Sequence, residues 1–264
     1  DEFAYPSQWS PDGSRLLITH EEPAYGQVWC VNADGSDPLL LAGGAESSWD
    51  LAPRWLPDGS KVVFVSNPFN PSNQHIWSVN PDGTGLTKLT AGTGPYSAPR
   101  PSPDGELIAY VYGGNIYTMN PDGSGVTQLT STGNDSFYGA NDPWSPEGSL
   151  ILFARWDSIW HQLYRMDRNG ASQTNLAPTE PDCRPCDWSP EGSELVWYWD
   201  GGIDLRSMNP DGSSPAVVVS DFPVQATWRA SGIRRVHLPF RDVTPDTDVT
   251  VPVNVDTCLG VAGM

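Results

Sequence analysis

The sequence predicts an all-β fold of six four-stranded antiparallel units, and three observations carry that prediction. A hexapeptide turn motif occurs six times, the last copy worn, short apolar runs lie between the turns, and chain breakers are abundant. The 26 glycines and 26 prolines among 264 residues amount to about one residue in five, too many for long helices.

The turn motif is Trp9-Ser-Pro-Asp-Gly-Ser14. It returns as Trp55-Leu-Pro-Asp-Gly-Ser60, Pro101-Ser-Pro-Asp-Gly-Glu106, Trp144-Ser-Pro-Glu-Gly-Ser149 and Trp188-Ser-Pro-Glu-Gly-Ser193, with a worn copy at Trp228-Arg-Ala-Ser-Gly-Ile233. Successive copies are 40 to 46 residues apart. A second turn follows in the first five repeats: Asn32-Ala-Asp-Gly-Ser36, Asn80-Pro-Asp-Gly-Thr84, Asn120-Pro-Asp-Gly-Ser124, Asp167-Arg-Asn-Gly-Ala171 and Asn209-Pro-Asp-Gly-Ser213. Proline presets φ, Asp tolerates the next position and Gly takes the left-handed conformation that rejoins two strands, so each turn closes a hairpin.

Second strands are expected at Leu16–Thr19, Val62–Val65, Leu107–Tyr110, Leu150–Phe153 and Leu195–Tyr198. They are apolar without alternation, as where both faces of a sheet are covered. Third strands are expected at Gln27–Val31, His75–Val79, Asn115–Met119 and Gln162–Met166, and fourth strands at Pro38–Leu41, Leu86–Leu89, Val126–Leu129, Gln173–Leu176 and Ala216–Val219. Six units of this size with four strands apiece are the pattern of a six-bladed β-propeller whose last blade is degenerate. One domain is expected over 1–240, with a tail at 241–264 that completes the last blade or contacts a partner.

The paired turns at this spacing resemble the TolB-like propeller repeat, which also occurs in the propellers of prolyl-oligopeptidase-type peptidases and of oligogalacturonate lyases. The resemblance covers about residues 5–240. It implies fold more than function, because propellers host many unrelated activities. Proline 101 in a Trp slot, glutamate at 147 and 191, and the eroded sixth copy depart from the pattern. No Gly-x-Ser-x-Gly elbow is present, so the peptidase relatives contribute only their propeller, and neither catalytic residues nor a cofactor or metal are expected.

Lysine and arginine number 14 against 32 aspartates and glutamates, a net charge of −18 that repels nucleic acid and anionic lipid. No apolar run is long enough to span a membrane. A first residue that is not Met is read as a processed chain or a piece of a longer one, and the acidic, Trp-rich composition as compatible with a secreted or periplasmic location. The Cys183-Arg-Pro-Cys186 spacing is expected to form a local disulfide in a Pro-rich crossing, leaving Cys30 and Cys258 either as a second pair or as separate reduced thiols.

Short, uniform Pro-Asp-Gly turns share one propeller face and read as structural punctuation. Variable loops on the opposite face are where function is expected, namely the blade crossings at 42–54, 90–100, 130–143, 177–187 and 220–227 and the second-to-third loops at 19–27, 66–75, 112–115, 155–161 and 199–203. They carry the candidate binding residues Tyr96, Asp135, Phe137, Tyr138, Asp142, Trp156, Asp157 and Trp160. Rings supply contact area, and acids orient a cationic peptide or a sugar. The expected function is a non-catalytic protein recognition or assembly module. A carbohydrate-binding or carbohydrate-active propeller, and a structural subunit of an extracellular assembly, are the alternatives.

Overall fold

The computed structural model describes residues 3–22, 25–43, 48–68, 73–138, 140, 142–180, 182–199, 204–219, 225–227 and 235–237. The chain is all-β there. The first repeat forms β1 (Phe3–Trp9), β2 (Arg15–Glu22), β3 (Tyr25–Asn32) and β4 (Leu39–Ala42), and the second forms β5 (Ser48–Trp55), β6 (Val62–Pro68), β7 (His75–Val79) and β8 (Thr87–Lys88). Both are antiparallel meanders, joined into one sheet by a single parallel pair, Gly26 with Trp49. The third repeat gives β9 (Tyr96–Pro101), β10 (Ile108–Tyr112), β11 (Asn115–Met119) and β12 (Thr127–Gln128). The fourth gives β13 (Asp135–Ser136), β14 (Leu150–Trp156), β15 (His161–Asp167) and β16 (Thr174–Asn175), and the fifth β17 (Cys183–Trp188), β18 (Leu195–Trp199), β19 (Asp204–Met208) and β20 (Ala216–Val219). Each of these three is a four-stranded antiparallel sheet. Around the worn sixth turn, β21 (Gln225–Thr227) pairs antiparallel with β22 (Arg235–His237). The tail at 241–264, including Cys258, lies outside the described residues.

Contacts divide the chain into two compact units, 1–135 and 136–264. Within the first, the apolar runs split by alternate residues between two cores. Val62 and Phe64 join Leu17, Val28, Leu41 and Trp55 on one side of the second repeat, whereas Val63 and Ile76 join Ile108, Tyr110 and Met119 on the other. A strand with both faces covered has no position where a polar side chain is solvated, which is why the run is continuous. Each fully buried aliphatic side chain contributes about 1.5–3 kcal/mol. In the second unit, Leu152, Leu163, Cys183, Trp188 and Trp197 form the equivalent core. The Trp slot is buried at Trp55, Trp144 and Trp188, while Trp9 is 52% exposed.

The first turns share one geometry. In Ser10–Gly13 the Gly13 N–H donates to Ser10 O at 2.9 Å, and the Ser10 N–H donates to Arg15 O at 2.8 Å. The motif's serine adds a bond that the sequence reading assigned no part: its Oγ accepts the Arg15 N–H at 2.9 Å and donates to Asp12 Oδ1 at 2.6 Å. Ser102, Ser145 and Ser189 accept the corresponding N–H of Leu107, Leu150 and Glu194.

The turn aspartates accept these local bonds as carboxylates, so their pKa values fall. The hydroxyl of Ser10, then the N–H and hydroxyl of Ser14, bring Asp12 down to about 2 from an ordinary 3.8. Asp34, Asp58, Asp82, Asp122 and Asp211 shift the same way. A depressed folded-state pKa gives stability that is complete above the unfolded value and is lost as pH falls through the folded one. The urea midpoint should therefore drop between about pH 4 and pH 2. Asp12→Asn should flatten the lower part of that window, and an unchanged profile would contradict the assignment.

Three sequence expectations are corrected here. Segments expected as crossings contain the first strands: β5 lies within 42–54 and reaches Trp55, and β9 begins inside 90–100. β9 and β17 are edges of their sheets, where proline is tolerated because its missing N–H faces away from the ladder. The loop expected at Thr19–Gln27 is likewise the end of the β2–β3 hairpin, paired out to Glu22 with Tyr25.

The third correction concerns cysteine. Cys183 and Cys186 sit on β17 rather than in a crossing, and Cys183 is a buried thiol, not half of a cystine. Three residues of extended strand separate two Cα atoms by about 10 Å, beyond bridging range. The Cys183 Sγ donates instead to Glu180 O at 3.4 Å. Burial, reinforced by the Glu180 charge, pushes its pKa up to about 12. Cys30 is also a buried thiol.

Candidate binding surface

The β14–β15 hairpin builds the principal surface of the second unit. Its ladder runs from Leu150–Asp167 to the last pair, Trp156 with His161. Beyond it Asp157–Trp160 turns back, the Asp157 N–H donating to Trp160 O at 3.1 Å. The Asp157 carboxylate holds the tip from within: Oδ1 accepts the N–H of Ile159 at 2.9 Å and of Trp160 at 2.8 Å, and Oδ2 lies 3.4 Å from Gln162 Nε2. Those backbone donors, Trp160 first, hold its pKa below the usual carboxylate range. With the backbone satisfied locally, Ile159 and Trp160 project outward, 64% and 44% exposed.

Ser158 occupies the first central position of this turn with φ +87°. A non-glycine residue there carries strain. Ser158→Gly should raise stability by about 0.5–1 kcal/mol in urea unfolding. A loss of stability would contradict the strain.

His161 organises the surface. Tyr138 stacks on its ring with centroids 4.8 Å apart and planes at 27°, and Trp156 lies 4.9 Å away at 59°. The imidazole is fixed from below: Nδ1 is 3.3 Å from Asp182 Oδ1, which also accepts the His161 backbone N–H at 3.2 Å. Asp182 is buried and has φ +49°. Half-exposed Tyr138 and Trp156 are thus braced on a histidine that is not among the eight candidate residues.

Of the eight candidate residues, Tyr138, Trp156, Asp157 and Trp160 therefore share this neighbourhood or its tip. Asp142 is exposed and accepts the Trp144 N–H at 3.2 Å, serving the chain before the fourth turn. The other three are not surface residues. Phe137 is 5% exposed, packed in the second unit. Tyr96 and Asp135 belong to the first unit and are buried. Tyr96 stacks on Tyr112 at 4.3 Å and donates to Ala91 O at 2.5 Å, and Asp135 accepts the Thr132 hydroxyl at 2.8 Å. Tyr96 in fact joins an aromatic group with His75, Tyr110, Tyr112 and Tyr117. Burial drives the Tyr110 pKa there up to about 12.

Residues 3–192 match the family model described as the TolB beta propeller domain. The chain belongs to that family. An uncharacterised protein of Agrobacterium fabrum is 31% identical over 112 residues, which is 39% of this chain and 38% of that protein. The chain thus spans well under half the length of that relative. Among solved structures, a putative TolB from Agrobacterium tumefaciens superposes with TM-score 0.61 at 22% identity, over 83% of this chain and 81% of that one. An oligogalacturonate lyase in complex with manganese gives 0.65 at 14% identity, over 84% and 68%. These likenesses show the propeller fold. Among the described residues, no three His, Cys, Asp or Glu side chains are grouped to hold a metal ion.

Proposed function

We propose that this TolB-family propeller is a non-catalytic recognition module acting outside the cytoplasm, secreted or periplasmic, and that it binds a protein or peptide partner. The observation behind this reading is the exposed set Trp156, Ile159 and Trp160 at the β14–β15 hairpin, with Trp156 and the exposed Tyr138 both braced on His161. Large rings held by a rigid support lose little entropy on binding and bury much area, the usual character of a recognition anchor. The strained Ser158 supports the same reading, since strain persists where a surrounding structure imposes it for use.

Native co-purification followed by mass spectrometry, comparing wild type with Trp156→Ala, tests the reading. Enrichment of one protein that the variant loses is the expected result. Loss of a co-purifying oligosaccharide instead transfers the assignment to the carbohydrate-binding alternative, and equal retention by both chains refutes the surface.

A further inference from the structure

Resting on that recognition reading, we infer that the occupant of the Tyr138–Trp156–Trp160 surface is an arginine side chain presented by the partner, its guanidinium lying over the rings and facing Asp157. Complementarity of charge points to a cation. The chain carries −18, and the tip itself supplies a carboxylate whose Oδ1 is committed to two backbone N–H groups. Its Oδ2 has only the 3.4 Å contact with Gln162 and keeps acceptor capacity toward solvent. Aromatic faces attract cations electrostatically, and a planar guanidinium stacks on them more readily than a compact ammonium.

The second unit already uses this chemistry within itself. On the opposite side of the same hairpin, the Arg155 guanidinium lies 4.5 Å from the Tyr164 ring centroid and 5.3 Å from that of Phe153, while Nη2 donates to Gln173 Oε1 at 2.8 Å. In the next sheet, Arg206 lies 5.3 Å from the Trp197 ring centroid and bridges Glu180 at 3.0 Å. Ring and guanidinium thus recur together, with a carboxylate added at Arg206, and the β14–β15 tip offers a ring and a carboxylate at the surface. Trp156 and Trp160 are 40% and 44% exposed, so their faces are accessible to a side chain from outside.

The test uses the full chain, 15N-labelled, titrated with acetyl-Gly-Gly-Arg-Gly-Gly-amide and with the citrulline peptide, which has the same shape and no charge. Indole N–H resonances of Trp156 and Trp160, assigned by their loss in the Trp→Ala variants, are followed. The arginine peptide should shift both saturably, and the citrulline peptide should bind about fivefold or more weakly. Asp157→Asn keeps the oxygen that accepts the Ile159 and Trp160 N–H groups, so the turn survives while the charge goes; arginine affinity should then fall about threefold and its salt dependence should shrink. Equal binding of the two peptides overturns the arginine inference and leaves the recognition surface standing. A silent titration overturns it too. If Trp156→Ala also retains the co-purified partner, the proposed function falls with it.

Discussion

Replacing Gly123 with alanine should cost about 3 kcal/mol or more, whereas the same change at Gly35 should cost about 1 kcal/mol. The two residues hold the same place in the Asn-x-Asp-Gly turn, each N–H donating to the carbonyl of Asn120 or Asn32, at 2.9 and 2.8 Å. Their backbones match as well, with φ of +86° and +82°, so the left-handed strain of a Cβ is common to both. What differs is the neighbour. A Cβ on Gly123 meets the Leu89 carbonyl oxygen at 2.6 Å, whereas one on Gly35 meets nothing within 4 Å. Leu89 cannot retreat cheaply, because its N–H is tied to Ile76 O at 2.9 Å and its side chain is in the core shared by the second and third repeats. For a chain of this size the difference corresponds to a melting point lower by roughly 6–12 °C for Gly123→Ala and by a few degrees for Gly35→Ala. Equal shifts would mean that the turn backs onto the preceding sheet less tightly than the distance indicates.

That contrast also marks where sequence reading succeeds and stops. The turns were legible because Pro-Asp-Gly carries its own backbone preference, and the second and third strands because apolar runs between such turns have one outcome. The first strands were not. Tyr96-Ser-Ala-Pro-Arg-Pro101 and Cys183-Arg-Pro-Cys-Asp-Trp188 read as loops by their prolines, yet both are edge strands. Each ladder shifts register partway, β9 near Ala98 with φ +50° and β17 between Pro185 and Asp187. Treating these segments as surface crossings placed Tyr96 on a loop and the two cysteines within bonding range, and both errors have that one source.

The candidate surface was legible in its residue types and not in their exposure. Phe137 and Tyr138 are neighbours in sequence, but one ring is packed and the other stacks on His161 at the surface. Nothing in two adjacent aromatics says which will face inward, since large apolar side chains occupy both places in folded proteins. A signal for the hairpin tip did exist: Asp157, three residues before Trp160, is the residue type whose carboxylate closes a turn onto the following N–H groups. Given that turn, Trp156 and His161 must be cross-strand partners, and the pairing of ring and imidazole follows from the sheet.

Trp156→Ala should weaken binding of the partner by about 2 kcal/mol, roughly thirtyfold, with the melting temperature nearly unchanged. Among the described residues, the ring neighbour of Trp156 is His161, and that imidazole stays anchored by Asp182 and Tyr138 when the indole is gone, so the support of the surface outlives the mutation. Tyr138→Ala should act in the same direction through its 50% exposed ring. Asp82→Ala is the matched control. Its carboxylate accepts the Thr84 N–H and hydroxyl at 2.9 and 2.6 Å, a purely local duty in a turn of the first unit, and its loss should leave affinity as it was. Isothermal titration with the co-purified partner, alongside thermal unfolding of each variant, separates the two roles. Should Asp82→Ala abolish binding while Trp156→Ala does not, the Pro-Asp-Gly turns are the docking elements and the β14–β15 tip is not.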